Sequence, residues 1–243
     1  MTIALERYGS RNWTGVSTTG VSNHTGTMVQ GKLIVALVYI DTVGVSVSSI
    51  HINSATPAEF TNIATATLDT GNAGYNRVEA WYCYVPDMTS GSSSIDILLS
   101  GNSNGHISEG EFGGCAASSP VDSAATGSGY EGTPTTAALT TSANGSLAVG
   151  IGARQSGLLA VSTGMTVLAQ DGAVTWGISE YDLDVTTAFA ALTWSAVPAT
   201  KNWITNGVVV KPAASAAPTP PESRGTLRGM LRGELRGQMK MVR

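Results

Sequence analysis

Lys32-Leu33-Ile34-Val35-Ala36-Leu37-Val38-Tyr39-Ile40, bounded by Gly31 and Asp41, is the stretch on which the fold of this chain turns. It is continuously apolar after Lys32, and it is the length of a strand. A run of this kind reads as a strand covered on both faces. Outward from it, residues 45–53 alternate apolar and polar with one slip, which reads as a bulge. Residues 76–85 place Val78, Ala80, Tyr82 and Tyr84 on one face and Glu79, Trp81, Cys83 and Val85 on the other. Strands follow at residues 94–100 and 106–116, and residues 118–134 read as a loop. Residues 137–142 then lead through Asn144-Gly145, a strong hairpin signal, into residues 146–151. Residues 165–170, 174–183, 187–195 and 203–211 complete the set. No segment carries a helical period, and turn signals every ~8–12 residues point to a sandwich or barrel.

Composition agrees. The 243 residues carry only 12% charged side chains against 42% apolar ones, and Gly, Ser, Thr and Val dominate. Helices favour Ala, Leu, Glu, Lys and Arg, so the chain is all-β, and it has apolar content enough to bury a core. Residues 1–30 are polar, with Tyr8 and Trp13 as the large anchors, and read as an N-terminal arm with one or two short strands packed on the sandwich. No apolar run is long enough to cross a bilayer, and no basic-then-apolar leader opens the chain. The expectation is synthesis in the cytoplasm without a signal peptide, and no membrane partner.

Gly31-Lys32-Leu33-Ile34-Val35 echoes Gly145-Ser146-Leu147-Ala148-Val149, each opening one half of the domain. The strand Glu79-Ala80-Trp81-Tyr82 lies between them, as does Glu111-Phe112-Gly113-Gly114 with a Pro-containing loop after it. In this order the motifs resemble the concanavalin A-like jelly-roll sandwiches of phage virion proteins and secreted bacterial proteins, over about residues 31–211. The resemblance implies a two-sheet antiparallel jelly roll and a place in a virus particle.

Chemistry is sparse. Gly26 to Lys32 has the spacing of a phosphate loop, but Leu33 stands where Ser or Thr is needed and a strand follows where a helix should. His24, His51 and His106 are unaccompanied by a Gly-x-Ser-x-Gly elbow. His106, Glu109 and Glu111 match no metal-ligand spacing, and on a strand the two glutamates share a face that excludes His106. Glu180, Asp182 and Asp184 share a strand face, which oxygen ligation of calcium could use, although a solvated strand edge is the favoured reading. Cys83 and Cys115 read as small buried apolar residues, with a disulfide between them as the alternative. No catalytic, cofactor-binding or metal residue is assigned. Trp81, Tyr82, Tyr84, Trp176, Trp194 and Trp203 fall in strands and read as core. Trp13 and Tyr130 fall in expected loops and are the candidate glycan contacts.

Beyond the sandwich, residues 212–223 form a Pro/Ala-rich linker. Residues 224–243 then repeat Arg-Gly-x-Leu, with Arg224, Leu227, Arg228, Leu231, Arg232, Leu235, Arg236 and Met239 as docking residues. This tail is net +5 and residues 1–223 are net −9. As a strand it sorts Gly and Leu onto one face and Arg onto the other, cleaner than the four glycines in line that a helix would present. An isolated strand needs a sheet edge or copies of itself. The expected partners are other virion proteins or neighbouring copies, as a homo-oligomer. The tail has no aromatic residues for base stacking, which argues against nucleic acid. A non-enzymatic capsid decoration or head-spike protein on the virion surface is the expectation. A carbohydrate-binding adhesin that recognises a host glycan, such as a tail-fibre or lectin-like module, is the alternative.

Overall fold

The computed structural model describes residues 2–16, 20–21, 28–53, 58–68, 77–85, 94–154, 158–170, 177–197 and 201–214. These residues contain sixteen strands and no helix. The apolar stretch that opened the reading is β3 (Leu33–Ile40), buried along its whole length. Its burial follows from its position at the centre of a five-stranded antiparallel sheet. On one side lie β9 (Ser103–Gly113) and then β1 (Ala4–Val16). On the other lie β7 (Arg77–Tyr84) and then β6 (Thr61–Thr67).

A second five-stranded sheet runs β10 (Val121–Tyr130), β16 (Asn202–Val210), β11 (Ser146–Arg154), β14 (Gly177–Val185), β13 (Thr166–Gln170). The two sheets face one another. Leu33, Val35 and Leu37 pack with Leu147, Val149, Ile151, Val208 and Val210 in a common core. A four-stranded layer of β2 (Gly20–Val21), β8 (Ser94–Leu99), β4 (Val47–Asn53) and β5 (Ala58–Glu59) covers the far face of the first sheet. The far face of the second is covered by β12 (Leu158–Ala160) with β15 (Ser195–Val197), and by residues 134–139 running beside 190–194.

All-β, antiparallel and sandwiched, the body matches the expected class, and its winding is double. In the first half the nested antiparallel pairs β1–β9, β2–β8, β3–β7 and β4–β5 fall alternately in the inner and outer layer, which is how a jelly roll is wound. The second half repeats the pattern with β10–β16, then Thr135 bridging Thr193, then β11–β14. The irregularities repeat too. The first strand of each half slips against its partner at Leu5/Arg7 and at Val121/Ser123. The far edge strand slips at Asn62/Ala64 and at Val167/Ala169. Gly31 and Gly145 both adopt positive φ, at 77° and 76°. Their N–H groups donate to the carbonyls of Val85 and Val185, each at 3.1 Å. The echo between the two sequence segments marks equivalent strands of two rolls.

Four expectations are corrected. The hairpin expected at Asn144-Gly145 is absent, because residues 137–142 form no strand and β11 pairs with β14 and β16 instead. The N-terminal arm was expected to hold only short strands, but β1 is thirteen residues long and completes the first sheet. The loop expected at 118–134 contains β10, whose small residues pair with β16 along their full length. The strand expected at 187–195 begins as a turn and lies mostly outside any sheet ladder, with Thr193 in an isolated bridge and β15 beginning at Ser195. Cys83 and Cys115 are free thiols packed on opposite faces of the first sheet. Burial pushes them up to about 11 and about 12, in keeping with an apolar role.

The chain divides into one unit spanning Met1–Ala213 and a second spanning Ala214–Arg243. The eight docking residues expected in the tail lie outside the described residues.

Candidate functional site

Of the two candidate glycan contacts, one is corrected. Trp13 is not in a loop and is only 7% exposed. It stands in β1 opposite Gly105, whose missing side chain is the space its indole fills. The second half makes the same contact with the residues exchanged: Trp203 on β16 packs over Gly129 of β10. Tyr130 is the last residue of β10 and is 66% exposed. The turn after it is held in place, because Trp203 Nε1 donates to the Glu131 carbonyl at 2.8 Å and Glu131 N–H donates to Lys201. Tyr8, equally exposed, lies on the other edge strand, β1. Because β10 stacks across β6 and β13 stacks across β1 and β9, the two tyrosines occupy opposite edges and form no common platform.

The buried acids act as pins between layers. Glu79 accepts from Val47 N–H at 3.2 Å, Trp81 Nε1 at 2.9 Å and Asn62 Nδ2 at 3.4 Å, and pairs with Arg77 Nε. It thereby ties β4 of the outer layer to β7 of the inner one. Glu111 accepts from Val29 N–H at 2.9 Å. In the second half Glu180 accepts from Ser162 N–H and from Ser162 Oγ, each at 2.7 Å. Burial pushes its carboxyl up to about 7, against the two Ser162 hydrogen bonds that pull it down. The solvated-edge reading therefore fails for Glu180, which is wholly buried, while Asp184 is exposed as expected. Among the described residues no group of His, Cys, Asp and Glu could hold a metal ion.

His51 and His106 lie apart, and His24 lies outside the described residues. His51 Nε2 stands 3.9 Å from Asp96. His106 stacks on Tyr39 at 5.6 Å and bonds Asn12, on the face away from Glu109 and Glu111, as the alternation required.

Sequence reasoning missed one feature. Arg154 closes β11 and is 1% exposed, yet Nε, Nη1 and Nη2 have no hydrogen-bond partner among the described residues. Burial alone lowers its pKa from the usual arginine range. Trp194 Nε1, also fully buried, lacks an acceptor among the described residues as well, as does the indole N–H of Trp13. A signal was present in the echo: the register that matches Leu33 to Leu147 matches Ile40 to Arg154, a charge where the first half has a core residue.

Comparison with protein-family models, with curated proteins and with solved structures found no match.

Proposed function

We propose that this chain is a non-enzymatic structural component of a virus particle, a capsid decoration or head-spike protein that displays its double jelly roll and is anchored by its basic C-terminal repeat. The observation that carries this reading is where the body ends. Its last strand, β16, is an interior strand, and the next residues still serve the body: Lys211 N–H donates to Pro120 and Ala213 N–H donates to Gly114 at 2.7 Å. The compact unit stops at Ala213. The Arg-Gly-x-Leu repeat follows this unit in sequence, and it has the opposite charge to residues 1–223. Buried acids tied to backbone and indole donors suit a rigid displayed module rather than a reaction centre.

Electron microscopy of purified particles, with antibody raised against residues 1–213, tests the reading. Regular decoration of the particle surface supports it, and particles devoid of the protein refute it.

A second reading, a carbohydrate-binding adhesin, is favoured by Tyr130, an exposed aromatic ring on a braced turn. Reproducible binding of the body to one defined sugar on a glycan array, lost in Tyr130→Ala, would favour it over decoration alone.

A further inference from the structure

Two buried donors stand on the outer face of the second sheet with no acceptor among the described residues. Arg154 offers a guanidinium at 1% exposure. Trp194 lies over Gly152, two residues before Arg154 on the same face of β11, and offers an indole N–H. A guanidinium keeps its charge inside proteins, and leaving one buried without a partner is strongly destabilising. The roll does not require the charge, since the equivalent position in the first half is the wholly buried Ile40. Glu180, which stands on the same face opposite Gly150, has both oxygens committed to Ser162.

An acceptor with negative charge and several lone pairs would satisfy both donors, and that describes an oxyanion. The planar fork of arginine matches a carboxylate with two parallel bonds and suits sulfate similarly. So complete an enclosure suits a small ion better than an acidic polymer. We propose that Arg154 and Trp194 bind a small oxyanion, a carboxylate or sulfate group, which holds the outer layer of the second half on its sheet.

The test follows the unfolding midpoint of the full chain in sodium acetate and in sodium sulfate, against sodium chloride at matched ionic strength. A ligand that binds the folded state raises the midpoint with the logarithm of its concentration. The wild type should respond to acetate, to sulfate or to both beyond its response to chloride, and the stronger of the two identifies a planar or a tetrahedral group. Arg154→Met should abolish the excess response; comparison with it also subtracts the general effect of sulfate on proteins. Trp194→Phe removes one donor and should weaken the apparent affinity roughly tenfold. If Arg154→Met does not fold, Arg154→Lys, which keeps the charge and loses the fork, should respond more weakly than wild type. Equal responses in wild type and the Arg154 variant, or no excess over chloride, would each overturn the proposal.

Discussion

Glu180 makes the stability of the second half depend on pH. Its ordinary pKa of 4.5 rises to about 7 in the folded state. Between those values the folded chain keeps a proton that the unfolded chain has lost. Stability is therefore greatest near and below pH 4.5 as far as this group is concerned, falls as pH rises, and levels off above 7. The full difference amounts to about 3 kcal/mol. Urea unfolding at pH 5 and pH 8 should show the wild type losing stability at the higher pH, and Glu180→Gln should flatten that difference. A second residue-scale prediction comes from the exchanged Trp–Gly contacts. A Cβ at Gly105 would meet the Trp13 ring, and one at Gly129 would come within 2.7 Å of Trp203. Gly105→Ala and Gly129→Ala should each cost about 1–3 kcal/mol by overpacking, measured by thermal melting. Neither contact was legible in the sequence. Trp13 sits among polar residues and reads as exposed; only the pairing of β1 with β9, distant in sequence, supplies the glycine that buries it.

Elements differ in how plainly they announce themselves. β3 was legible because both its faces are buried, so every position is apolar and no register need be known. At Asn144-Gly145 the turn was legible but the hairpin was not: Gly145 takes a positive φ, yet residues 137–142 form no strand and β11 finds its partners in β14 and β16, far along the chain. β10 was not, because Val-Asp-Ser-Ala-Ala-Thr-Gly-Ser-Gly-Tyr contains few strand formers, and its place is set by what passes over it. Gly127 leaves room for the Thr135 carbonyl, and Thr126 accepts from Ala137 N–H at 3.0 Å. The repeat of the two rolls is open to test at this scale. Gly31 and Gly145 hold equivalent left-handed positions and make equivalent bonds, so Gly31→Ala and Gly145→Ala should destabilise the body by similar amounts, about 1 kcal/mol each in denaturant melts. A core strand responds differently: Leu37→Ala, wholly buried in β3, should cost about 2–5 kcal/mol.

At the scale of the whole molecule, two rolls share one core and the basic repeat follows them in sequence. The doubling was faintly legible in one five-residue echo, and the rest of it was not, because the two halves fill equivalent positions with different residues: Ile40 with Arg154, Trp81 with Glu180, Phe112 with Val210. Strand order and register repeat where sequence does not. The tail carries its own sequence pattern, and the anchoring proposed for it depends on apolar and charged contacts together. Arg228→Lys should weaken assembly and make it more salt-sensitive, read by sedimentation in rising sodium chloride. The most direct test of the account compares the full chain with residues 1–213 in both melting and assembly. The account predicts nearly unchanged melting of the shortened protein and loss of its incorporation into particles or oligomers. Assembly of residues 1–213 with wild-type affinity would contradict it and move the docking surface onto the rolls themselves.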